Sequence, residues 1–143
     1  MSSYNDTIIA EFRANGGRVD SAGFGTHLVL LHTLGARTGQ PRVNPAMSLR
    51  DGDAWLVVAS AAGAEKDPAW AVNLRAHPHT EIEVATLRGE VGTVPVTATE
   101  LDGEEYEAAF ARFVRRSSAF EAYQQRAGAR RLPVFRLAPR RTP

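Results

Sequence analysis

The chain contains no cysteine. That excludes disulfides, thiolate nucleophiles, iron–sulfur clusters and cysteine-ligated zinc. A chain of 143 residues can bury roughly two-thirds of its unfolded surface, so an apolar core suffices to hold it together. Lysine is almost missing too. Lys66 is the only one, and the remaining positive charge is arginine. Net charge is only +1, so no global field draws the chain to nucleic acid. No apolar run approaches the roughly 18 residues that span a bilayer, and the first eleven residues show neither the basic nor the apolar region of a secretory signal. The expectation is one domain over residues 1–143, cytoplasmic, without stable membrane insertion and at most peripheral to a membrane. Solvated helix faces and a basic tail account for the arginines between Arg112 and Arg141. A patch for an anionic ligand or a membrane surface is the other reading.

Common catalytic signatures are also missing. There is no G-x-G-x-x-G, no Walker A loop, no H-E-x-x-H and no G-x-S-x-G. The four histidines do not form a ligand set. His77 and His79 flank Pro78 at a turn, and His27 and His32, five apart, fall on opposite faces of a strand. No metal site is expected.

The pattern of elements is informative. A short helix around Ile8, Ile9 and Phe12, capped by Asn5 or Asp6, ends at Gly16-Gly17. Residues 26–34 read as a strand buried on both faces. A second strand spans about 42–50, and Asp51-Gly52-Asp53 turns it into a third over 54–60. Asp67 and Pro68 mark the start of a helix over 69–76. Strands follow at 80–87 and 90–98. An amphipathic helix covers 101–116, with Tyr106, Phe110, Phe113 and Val114 on its apolar face. Ser117 or Ser118 caps a further short helix, residues 132–137 form the last strand, and 138–143 read as a frayed tail. Strands arranged mostly in hairpins predict a mainly β fold with helices (α+β), an antiparallel sheet closed into a small barrel with helices outside.

Two segments have the composition of a binding site. Residues 35–45 place Arg37, Thr38 and Arg42 around a glycine-bearing turn. Arginine forks, a hydroxyl and turn amides suit phosphate or carboxylate. A hairpin loop with exposed arginines has the same spacing. Residues 59–74 run from Ser60 through a small-residue loop into a helix, with Trp70 as a stacking face. An ordinary strand–loop–helix corner with Trp70 in the core reads equally well. Taken together, the segments suit a ligand with a planar ring near Trp70 and an acidic tail near Arg37, Arg42 and Lys66.

Several stretches, in this order, resemble the deazaflavin-dependent nitroreductase family of split β-barrel, FMN-binding-like proteins. They are F-R-A-N-G-G (12–17), T-x-G-x-x-T-G-Q-P-R-V-N-P (33–45), L-R-D-G-D (49–53), V-V-A-S (57–60), G-A-E-K-D-P-A-W-x-x-N-L-R-A (63–76) and L-P-V-F (132–135). The resemblance implies coenzyme F420 and hydride transfer to or from a small organic acceptor of quinone, enone or nitro type. It implies that Arg37, Thr38 and Arg42, helped by Lys66, hold the phosphate and glutamate tail. Val43, Asn44, Pro45, Met47, Ser60, Ala61, Ala62, Gly63, Pro68, Trp70, Asn73 and Leu74 would complete the coenzyme site. Substrate would meet Met47, Ser117, Phe120 and Tyr123, with Ser60 and Tyr123 as catalytic candidates. Ala36 and Ala61 stand where some relatives carry basic residues. That suits FMN, with its shorter tail, as an alternative coenzyme, and a non-catalytic carrier of the coenzyme or of an apolar ligand is a further reading. A homodimer is compatible with such a barrel.

Overall fold

The computed structural model describes residues 4–20, 25–60, 63, 66–128 and 131–140. Among these residues, four helices and six strands follow one another as α1 (Tyr4–Ala14), β1 (Leu28–Leu34), β2 (Pro41–Asp51), β3 (Ala54–Val58), α2 (Ala69–Ala76), β4 (His79–Ala85), β5 (Val91–Glu100), α3 (Gly103–Arg116), α4 (Ala119–Ala127) and β6 (Val134–Pro139). The strands close into an antiparallel barrel in the order β1-β2-β3-β6-β5-β4. Two hairpin-linked groups, β1-β2-β3 and β4-β5, are joined on one side by β1–β4 pairing and on the other by β6.

Side-chain alternation explains why β1 and β3 are apolar on both faces. Val29, Leu31, Trp55 and Val57 enter the same buried cluster as Ile82, Val96, Phe135 and Leu137. Leu28 and Leu30 pack instead with Ile8 and Phe12 of α1. Leu56 and Val58 pack with Tyr106, Phe113 and Phe120 of α3 and α4. Each such side chain taken out of water contributes roughly 1.5–3 kcal/mol. One barrel wall thus carries helices outside and core inside. Helix α2 packs Trp70, Ala71 and Leu74 against the interior cluster.

The glycine pair after α1 has a steric reason. Gly16 sits at φ 66°, and a Cβ there would stand 1.9 Å from the carbonyl oxygen of Gly89 in the β4–β5 turn. No residue with a side chain fits without moving that hairpin.

Several local expectations change. Asn5 and Asp6 lie inside the first turn of α1 rather than ahead of it. Pro68, not Asp67, occupies the N-cap of α2, with no side-chain cap bond. The Asp67 carboxylate instead accepts from Arg75 Nη1 at 2.8 Å. Arg75 also donates two bonds to Glu100, at 2.7 and 2.9 Å. Its guanidinium holds the Glu100 carboxyl below the usual range. The final strand extends to Pro139, and Arg140 N–H donates to Pro95 O at 2.8 Å. Residues 138–140 are therefore paired, where the sequence reads as a frayed tail. Among the described residues, no helix is long and apolar enough to cross a membrane.

Candidate functional site

Strand β2 is the spine of the site. Its first half borders a basic cavity of about 410 Å³, and its second half borders an apolar one of about 530 Å³. Asn44 and Ala69 line both, so the cavities are two lobes of one groove. Both volumes lie in the usual range for ligand pockets. Arg42 and Met47, at the two ends, are five strand residues apart, about 16 Å at 3.3 Å per residue.

The apolar lobe draws on five elements, and α1 gives Tyr4 and Asn5. Strand β2 gives Pro45, Ala46 and Met47, and Val58 with Ser60 comes from the end of β3. Helix α2 contributes Pro68, Ala69 and Trp70 from its first turn. That turn carries amides with no intrahelical acceptor and the positive end of the helix dipole. Helix α4 contributes Phe120 and Tyr123, packed edge-on at 5.8 Å. Phe120 in turn meets Phe113 of α3 edge-on at 5.5 Å. Tyr123 is therefore held by an aromatic chain that reaches into the core.

The basic lobe is built on the turn between β1 and β2. Gly35 N–H donates to Gln40 O, Gly39 N–H to Gly35 O, and Gln40 N–H to the Thr38 hydroxyl. Ala36 N–H donates to Asn73 Oδ1 at 3.0 Å. Four turn amides are thus consumed within the protein. The exposed guanidinium groups of Arg37 and Arg42 line the lobe as its cationic groups.

The structure brings most of the residues singled out in the sequence to this groove, and sends others elsewhere. Arg37, Thr38, Arg42, Asn44 and Asn73 line the basic lobe. Asn44, Pro45, Met47, Ser60, Pro68, Trp70, Phe120 and Tyr123 line the apolar one. Lys66 is exposed and lines neither. Leu74 is 1% exposed in the barrel core. Val43 packs with the α1 cluster. Gly63 is buried against α4. Ser117 closes α3 and accepts from Ala119 N–H at 3.4 Å. Ala61 and Ala62 lie outside the described residues. Trp70 does double duty, lining the lobe while tilting against Phe135 at 6.1 Å.

Sequence reasoning overlooked Tyr4, Asn5, Ala69 and Val72, all of which line the groove. A signal for Asn5 exists. It continues the Ile8, Ile9, Phe12 stripe by one helical turn, so α1 carries its inward face past the core and onto the lobe.

The structure thus joins a closed antiparallel barrel to two adjoining cavities, one of them edged by arginines, and comparison with known proteins gives the class. Residues 6–139 match the model of the F420H(2)-dependent quinone reductase family. The chain belongs to that family. An F420H(2)-dependent quinone reductase of Mycobacterium tuberculosis (strain H37Rv) is 46% identical over 74 residues, 52% of this chain and 50% of that protein. The match thus spans about half the length of this curated relative. The solved structure of an F420-H2 dependent reductase, FDR-A, is 31% identical with a TM-score of 0.67, covering 78% of this chain and 93% of that one. A structure described as a domain-swapped dimer is 33% identical with a TM-score of 0.65, covering 78% and 79%.

Proposed function

We propose that the protein is an oxidoreductase that uses coenzyme F420 to reduce quinone-type acceptors in the apolar lobe. The observation that carries this reading is the two-lobed groove itself. One lobe is apolar and sized for a fused ring with an acceptor over it. The other presents arginines at the distance a tail would reach. FMN, with its single phosphate, would use less of that second lobe.

Reduced F420 supplies a hydride equivalent when bound. The rest falls to this chain. Arg37 and Arg42 hold the anionic tail by charge-assisted bonds. Trp70, Met47 and Pro45 hold the ring lobe apolar and exclude water. The Ser60 hydroxyl and the positive end of α2 stabilise negative charge developing on an acceptor oxygen. The Tyr123 hydroxyl, on the α4 side of the same lobe, holds a proton for that oxygen. Positioning of this kind needs no nucleophile or metal, which fits a sequence without their motifs.

The test is titration of the purified protein with F420 and, in parallel, FMN, followed by fluorescence. A p-quinone and a nitroaromatic are then offered under reduced F420. Tight F420 binding and quinone turnover are expected. Preference for FMN, or binding without turnover of either acceptor, would overturn the proposal. A homodimer belongs to the same proposal, supported by the solved relative that is a domain-swapped dimer. Sedimentation showing only monomer at tens of micromolar would refute that part.

A further inference from the structure

Four polar or charged residues are buried among the described residues: Thr33, Ser48, Asn73 and Glu83. Two of them form a single connection between the walls of the groove. Asn73, 6% exposed on α2, donates from Nδ2 to the hydroxyl of Thr33 at 3.2 Å. Its Oδ1 accepts from the backbone N–H of Ala36 at 3.0 Å. Thr33, at the end of β1, is itself 2% exposed. The amide of Asn73 therefore spends both of its ends on the strand and turn that lead into the basic lobe, while its helix supplies Pro68, Ala69 and Trp70 to the apolar one.

We infer that Asn73 is a positioning residue, which together with Thr33 latches the Gly35–Gln40 turn to α2 and so sets where Arg37 meets an anionic tail. This rests on the proposed F420 site, but the latch is a property of the chain alone. The Ala36 amide is the residue directly before Arg37. Ala36 is itself exposed, so without this acceptor its N–H would turn to water and the turn would lose its tie to α2. A ring-contacting role makes a different demand, since then the chromophore itself should lose affinity.

Three variants and two ligands separate these roles. Asn73→Ala removes both bonds, Asn73→Asp keeps the acceptor for Ala36, and Thr33→Val removes only the hydroxyl, at a residue that lines neither lobe. Asn73→Ala and Thr33→Val are titrated with F420 and with the deazaflavin chromophore lacking its phosphate- and glutamate-bearing tail. Asn73→Ala is expected to weaken F420 about three- to fivefold, no more than loss of the Arg37 side chain itself, and the tail-less chromophore by less than about 1.5-fold. Thr33→Val should show the same selectivity at smaller size, and Asn73→Asp, which adds a charge beside the lobe, is read by hydrogen exchange alone, where the Ala36 amide should stay protected. Equal loss for both ligands would make Asn73 a ring contact and overturn the latch. So would an Asn73→Ala loss with Thr33→Val unchanged. Amide hydrogen exchange reads the latch without ligand. Ala36 should be protected in the parent and exchange faster in Asn73→Ala. Equal exchange would refute the latch even if F420 binds. Protection lost on mutation, in a protein that binds no deazaflavin, would uphold the latch and sink the coenzyme reading instead.

Discussion

Gly63 is where the loop after β3 presses on α4, and its replacement by alanine gives the sharpest structural test. The residue sits at φ 81°, and an added Cβ would lie 2.7 Å from the carbonyl oxygen of Tyr123 and 2.9 Å from Cβ of Arg126. Two costs follow. A left-handed backbone with a side chain costs roughly 1–2 kcal/mol. The contact adds overpacking, typically about 1–3 kcal/mol. Ordinary contact begins near 3.4 Å, so α4 must retreat by about 0.7 Å, carrying Phe120 and Tyr123 with it. For a chain of this length, 1 kcal/mol moves Tm by about 3 °C, so Gly63→Ala should lower it by about 6–15 °C. Gly52, in the β2–β3 turn, has φ 62° and nothing within 4 Å of its added Cβ. Gly52→Ala carries the first cost without the second and should lose about 3–6 °C. Thermal melts by circular dichroism compare the two, and quinone KM reports the displaced roof. Equal losses in the two variants would refute the contact argument.

Other consequences are simpler to state. Ser60→Ala should lower turnover about tenfold or more while F420 affinity stays within about twofold; unchanged turnover removes Ser60 from the mechanism. Arg37→Ala and Arg42→Ala should each weaken F420 by up to about fivefold at low salt, and by less in 0.5 M salt, since exposed pairs are screened. Glu83 gives a pH prediction. Arg13 donates to both its oxygens at 3.0 and 2.7 Å, with His32 Nε2 at 2.6 Å. The Arg13 bonds hold its carboxyl below the ordinary 4.5 against the opposing effect of burial. A carboxylate depressed in the folded state stabilises above its unfolded pKa, and that contribution fades as pH falls through the folded value. Urea unfolding between pH 5 and 3 should therefore fall more steeply in the parent than in Glu83→Gln. Parallel slopes would dismiss the Arg13–Glu83 pair as a source of acid sensitivity.

The barrel was legible because strand periodicity and turn chemistry are local. The Asp51-Gly52-Asp53 hairpin, the doubly buried β1 and the Tyr106–Phe113 stripe needed only nearest neighbours in sequence. What local reading could not give was partnership across the chain. Asp67 has the composition of an N-cap and becomes half of a clamp on Arg75, because Glu100 brings that guanidinium close from 25 residues away. Lys66 belongs to the loop motif by sequence and lines neither lobe. Asn5 reads as a helix cap and, with Tyr4, forms part of the apolar lobe.

The motif W-x-x-N-L-R-A shows how far a resemblance can carry a site. Its spacing is helical, and Trp70, Asn73 and Leu74 all face inward. Leu74 fills the core, Arg75 ties two carboxylates, and Asn73 binds the turn before Arg37. Of its named positions, Trp70 and Asn73 also line the groove, as does Val72 between them. The same logic applies to the turn at 35–40. Its glycines and threonine read as an anion nest, yet four of its amides are bonded within the protein. With F420 bound as proposed, affinity for its tail should respond to charge number and salt as exposed arginine side chains do.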